Sequence, residues 1–159
     1  MLVHSAFHII GRKGYEMLID RGINKAHTFA SVIDSNPDFE LVSPPELNIL
    51  TYRYVPAAVQ ESLEKASDPQ CQIINSLLDK LTKRIQKSQR AAGNTFVSRT
   101  RLAPPRYNGE SITLFRAVLA NPLTSSAILV EILREQKAIA ADDEKAQQLM
   151  VQLMELIDT

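Results

Sequence analysis

The chain has 159 residues, 45% hydrophobic and 23% charged, ordinary values for a soluble globular domain long enough to bury one core. Eighteen basic and eighteen acidic side chains cancel, so no net field draws the chain to nucleic acid or to an anionic membrane. The one cysteine, Cys71, excludes an internal disulfide and a cysteine zinc cluster, which makes a reducing cytoplasm the natural setting.

The first ten residues are apolar but lack a basic flank and a small-residue cleavage site, so they do not read as a signal peptide. Residues 1–34 read as helix in two pieces, bent where Gly11 and Gly14 flank Arg12 and Lys13. Beyond the bend, Tyr15, Leu18, Ile19, Ala26, Phe29, Ala30 and Ile33 form one stripe of 3.6-residue period. Ser35-Asn36-Pro37 stops it. Phe39 to Val42 and Leu47 to Val55 read as an antiparallel pair of strands around Pro44-Pro45. A short helix is expected at 57–65. A longer one follows to about Ala92, with Asp68 as N-cap, Pro69 at the first helical position and Gly93 just past the end. Thr95 to Leu102 and Ser111 to Ala120 read as third and fourth strands, and helices near 124–138 and 142–157 finish the chain. The order predicts an α+β fold: an antiparallel sheet of about four strands covered by helices, with a long N-terminal helix.

Both alternating faces of the fourth strand are apolar, so it is expected to be central and covered on both sides. Arg116 shares a face with Leu114 and Val118. A buried guanidinium needs an anion. Either an internal carboxylate pairs with it, or its stem runs to the sheet edge and puts the charge in solvent, or the strand end opens toward a site for an external carboxylate, which an arginine fork grips in two places.

Other candidates read more blandly. His4 and His8 are four apart, as a metal pair would be, but no third ligand is near. Lys80, Lys83, Arg84, Lys87 and Arg90 form a basic run late in a helix with no aromatic residues for base stacking, the pattern of a solvated face. Cys71 lacks a nearby histidine and reads as a packing thiol. Arg99 and Arg101 share a strand face that meets either solvent or another domain.

The stretch Leu114-Phe115-Arg116-Ala117-Val118-Leu119-Ala120-Asn121-Pro122, followed by Thr124, resembles the C-terminal signature of the group II pyridoxal-phosphate-dependent amino-acid decarboxylases. Three further stretches agree in the family's order. Gly14-Tyr15-Glu16 through Ala26-His27-Thr28-Phe29-Ala30 resembles the helix joining large and small domains. Phe39 to Val42 with Thr51-Tyr52-Arg53-Tyr54-Val55-Pro56 resembles the first small-domain hairpin. Thr95 to Leu102 resembles the strand before the arginine motif. Among members, aspartate 1-decarboxylase and the glutamate decarboxylase-like enzymes are the most similar in wording. The resemblance implies the small domain of a fold type I enzyme, with residues 1–34 as the connecting helix and 35–159 as the small domain. It implies that pyridoxal phosphate is held by a lysine of a large N-terminal domain that this sequence does not contain, in a cytoplasmic homodimer. It implies loss of the α-carboxylate of a small acidic amino acid as CO2, with Arg116 binding a substrate carboxylate. No lysine here follows a histidine, so no catalytic lysine is expected, and the piece alone is expected to be inactive and to bind no cofactor or metal. The alternative is a stand-alone α+β ligand-binding or interaction module without catalysis.

Overall fold

A computed structural model of the chain describes residues 2–157, with side chains from residue 5 onward. Helix α1, Leu2–Asp34, is followed by a hairpin of strands β1 (Phe39–Ser43) and β2 (Ile49–Tyr54) and by helices α2 (Ala57–Lys65) and α3 (Asp68–Ala92). Strands β3 (Ser98–Leu102) and β4 (Ile112–Val118) come next, separated by a 3-10 turn at Pro105–Tyr107, and then helices α4 (Ser126–Asp142) and α5 (Glu144–Ile157). The sheet order is β1-β2-β4-β3 with every pair antiparallel. This is the expected α+β architecture, with β4 interior to the sheet.

Local chemistry sets the bends and boundaries. Gly11 sits at φ 68°, ψ 173° and breaks α1, a conformation open to glycine at no steric cost. Gly22 is needed for a different reason. A Cβ there would stand 2.9 Å from the Leu119 carbonyl oxygen, so α1 crosses the end of β4 at backbone distance. Gly93, at φ 75°, ends α3 and donates its N–H to Gln89 O. The N-cap of α3 is Ser67, one residue before the expected Asp68, and the Asp68 carboxylate accepts from Asn108 Nδ2 at 2.9 Å. Strand β3 begins at Ser98 rather than Thr95. The Thr95 hydroxyl donates to Glu135 on α4, and Gln86 on α3 donates to Val97 O, which holds residues 95–97 against the helices instead of β4.

One sheet face lies under the helices. Tyr52 is its centre, with ring centroids of Phe29 and Phe115 each 5.3 Å away and Phe39 at 6.1 Å. Ile74, Leu78, Leu81 and Ile85 of α3 and Leu129 and Leu133 of α4 close over this layer. Burial pushes the Tyr52 phenol up, and the hydroxyl stays neutral in a chain of hydrogen bonds with Gln136 and Gln89. The α1 stripe is buried only from Ala26 to Ile33; Ile19, in the same stripe, is exposed because the helices stop short of the first half of α1. Asp143 joins α4, α5 and α3. It caps α5 by accepting from the N–H groups of Lys145 and Ala146, and takes two hydrogen bonds of 2.7 Å from Arg84 on α3.

The opposite face holds an internal ion pair. Glu40 on β1 is the register partner of Arg53 on β2. Arg53 is fully buried, and its Nε donates to Glu40 Oε2 at 2.7 Å and its Nη1 to Asn75 Oδ1 at 2.9 Å. Its guanidinium stacks 4.6 Å over the Tyr107 ring. Tyr107 in turn donates its hydroxyl to Glu40 Oε1 at 2.6 Å, and burial raises its phenol to about 12, so it remains a donor. The loop carrying Tyr107 also covers Ile112 and Leu114 of β4.

Removing one partner of a buried pair leaves an uncompensated charge, so Glu40→Ala should cost about 3–5 kcal/mol in urea unfolding at pH 7. A loss below about 1 kcal/mol would show that the pair is not internal in solution. The hydrogen bonds from Arg84 hold the Asp143 carboxyl well below the usual carboxylate range. A lowered folded-state pKa stabilises above the unfolded value, about 3.9, and that contribution is lost as pH falls toward the folded one. Asp143→Asn should therefore lower the urea midpoint at pH 7, with the gap to the parent closing as pH is taken below about 4; a gap independent of pH would contradict this.

Candidate functional site

Antiparallel register places side chains that face one another across strands on the same face of a sheet. One such row crosses all four strands: Ser43 on β1, Thr51 on β2, Arg116 on β4 and Ser98 on β3. The row lies on the face opposite the main helical layer, beyond the half that Tyr107 covers. Arg116 is exposed there, as are its strand neighbour Val118 and the Val118 register partner Ile49. The expectation that β4 is covered on both faces is thus corrected. Ile112 and Leu114 are buried on this side, but the covering loop ends before Arg116.

Arg116 has no carboxylate partner among the described residues. Its Nε donates to Ser98 Oγ at 3.1 Å, and Ser98 Oγ donates to the Arg116 carbonyl at 2.9 Å. An internal ion pair is thus not what Arg116 makes; its side chain faces outward, as a stem reaching the sheet edge and a ligand-binding arginine both would. It is the one cation among the described residues lining a cleft of about 640 Å³, with Thr95, Phe96, Val118 and Ile128 among the walls. Glu131 also borders the cleft, but both its oxygens accept from Arg134 at 2.7 Å, and that pairing holds its carboxyl low. Arg116 thus borders the cleft as a cation with no carboxylate partner among the described residues, and a guanidinium in that state can grip a carboxylate at two points.

The buried arginine that demands an internal anion is Arg53. Its signal was present in the sequence: one basic and one acidic residue, each alone in an otherwise apolar short strand of a single hairpin. Thr51 Oγ1, beside Arg116 in the row, is buried without a hydrogen-bond partner.

The remaining candidates lie elsewhere. The His4 side chain falls outside the described ones, His8 is exposed, and no group of three metal-ligating residues occurs among the described residues. Cys71 is half-buried in a separate cleft beside Tyr107, and burial, then Asp68 and Glu110, push its thiol up, away from the reactive thiolate. Arg101 pairs with Asp79 at 3.3 Å, while Arg99 shares a shallow basic cleft with Lys83, Lys87 and Arg90. Both arginines sit at the sheet edge on the helix side, away from Arg116. None of the eight lysines is buried, so none has the desolvated amine that suits a Schiff-base anchor for pyridoxal phosphate. Among the described residues no helix is long and apolar enough to cross a membrane.

No family model matches the chain. It is 50% identical over 97% of its length to an aspartate 1-decarboxylase of Aliivibrio fischeri, of which it covers 28%. It is 26% identical over 86% of its length to an aromatic-L-amino-acid decarboxylase of Bacillus atrophaeus, of which it covers 24%. Among solved structures it superimposes with a TM-score of 0.65, at 18% identity, on the glutamate decarboxylase domain of a diaminobutyrate-pyruvate transaminase and L-2,4-diaminobutyrate decarboxylase from Vibrio parahaemolyticus, over 88% of this chain and 25% of that one. The chain thus spans about a quarter of the length of the relatives it matches. In sequence and in fold it belongs with the group II pyridoxal-phosphate-dependent amino-acid decarboxylases, as the counterpart of their C-terminal small domain.

Proposed function

We propose that this chain is the small-domain part of a decarboxylase that releases the α-carboxylate of a small acidic amino acid, aspartate or glutamate, and that Arg116 holds a substrate carboxylate. Residues 1–34 then serve as the connecting helix and residues 35–159 as the small domain proper. Pyridoxal phosphate belongs to a large domain that joins this chain in a cytoplasmic homodimer, and the chain alone is inactive. The observation that carries the reading is the state of Arg116: exposed in a cleft, held by Ser98, and paired with no carboxylate among the described residues. Arg53, by contrast, is buried and paired inside the fold. The half-open sheet face, with Ile49 and Val118 exposed beside Arg116, supports a further domain closing over it. The choice of an acidic amino acid is supported by the name of the half-identical relative.

The role of this chain is positional. A guanidinium that grips one carboxylate fixes the amino acid relative to the cofactor, and such orientation is part of the rate enhancement.

The test is a chimaera in which this chain replaces the matching quarter of the Aliivibrio fischeri enzyme. The chimaera should release CO2 from aspartate or glutamate, and Arg116→Ala should lower kcat/KM by about 100-fold. In the isolated chain the same exposed substitution should change stability by no more than about 0.5 kcal/mol. An Arg116→Ala chimaera as active as its parent sinks the assignment. Measurable binding of glutamate or aspartate to the isolated chain in titration calorimetry would favour a stand-alone binding module instead.

A further inference from the structure

The guanidinium of Arg116 has five N–H donors, and the structure shows how one of them is used. Ser98 Oγ accepts from Nε and donates to the Arg116 carbonyl, so one hydroxyl spans the side chain and backbone of the same residue across the β3–β4 ladder. Ser98 is half-buried at the edge strand, and its own backbone is fixed opposite Arg116 by the sheet register. Neither terminal nitrogen of Arg116 has a protein partner among the described residues. A free arginine meets a carboxylate in two ways: side-on, through Nε and one terminal nitrogen, or end-on, through both terminal nitrogens. With Nε occupied, only the end-on fork remains.

We infer that Ser98 is a positioning residue. It clamps the Arg116 side chain, selects end-on docking of the ligand carboxylate, and thereby sets how far that carboxylate stands from the sheet. The ligand class is a carboxylate with an unhindered front face, such as the carboxylate of a flexible amino-acid side chain. A hydroxyl suits the clamp because it accepts and donates at once. Alanine can do neither, while threonine keeps both bonds on a side chain well suited to a strand. The clamp stands on the geometry of this chain alone; its consequence for catalysis rests on the reading of Arg116 given above.

The experiment therefore has two arms. The first uses the full 159-residue chain and needs no activity. Nitrogen-15 spectra of the arginine Nε–H groups are recorded for the parent, Ser98→Ala and Ser98→Thr, with Arg116→Lys to assign the signal. The Arg116 Nε proton should exchange slowly with water in the parent and in Ser98→Thr. It should exchange about tenfold faster in Ser98→Ala, the loss expected for one charged hydrogen bond. Backbone amide signals outside β3 and β4 report that each variant is folded. Equal exchange in the parent and Ser98→Ala overturns the clamp. The second arm uses the chimaera. Ser98→Ala should raise KM about tenfold with kcat within about twofold, and Ser98→Thr should restore it. An unchanged KM, with the clamp confirmed, overturns its link to the ligand. If Arg116→Ala proves fully active, the substrate role of Arg116 falls while the exchange measurement still decides the clamp.

Discussion

A guanidinium cannot shed its charge at the pH of a cell, so every buried arginine obliges the fold to supply an anion. Arg53 imposes that obligation at the middle of β2. Glu40 meets it from the facing position of β1, Asn75 of α3 takes a second nitrogen, and Tyr107 lies across the plane. Three separate parts of the chain thus converge on one charge: the β1–β2 hairpin, α3, and the loop between β3 and β4. Such a pair adds little net stability over an apolar substitute, but it penalises misalignment heavily. A one-residue slip of the hairpin would move Glu40 to the other face and leave Arg53 unpaired.

The same obligation divides one sheet face into two halves. Where Tyr107 and Arg106 close over Glu40 and Arg53, the face is internal and its charges are balanced. One row on, the loop no longer reaches, and Arg116 is exposed with only a serine for a partner. The contrast is between an arginine paired inside the fold and one that faces outward. Both lie in apolar strands on one face of one sheet, and only their surroundings differ. The proposed function depends on that difference more than on any feature of Arg116 alone.

Much of this was legible in the sequence because local rules decide it. Gly11, Gly93 and Asn36-Pro37 punctuate the helices where backbone sterics require, and the alternation around Arg116 places it on an interior strand. What was not legible depends on pairing between distant segments. Whether an alternating strand is covered on its second face depends on where the loop of residues 103–111 folds back, and nothing local to Leu114 or Val118 encodes that. Hence the second face of β4 was expected to be covered and is open at Arg116. The start of β3 moved for a similar reason: Thr95 has a strand-forming side chain, but Glu135, 40 residues away, takes its hydroxyl. The Glu40–Arg53 pair was the one long-range feature within reach, since a hairpin that aligns Phe39 with Tyr54 also aligns the two charges.

The most direct test of the account is a crystal structure of the chimaera with succinate, a dicarboxylate that lacks the amino group needed to react. One succinate carboxylate should lie within hydrogen-bonding distance of both terminal nitrogens of Arg116. Succinate held elsewhere, with Arg116 paired to an acidic side chain of the large domain, would contradict it.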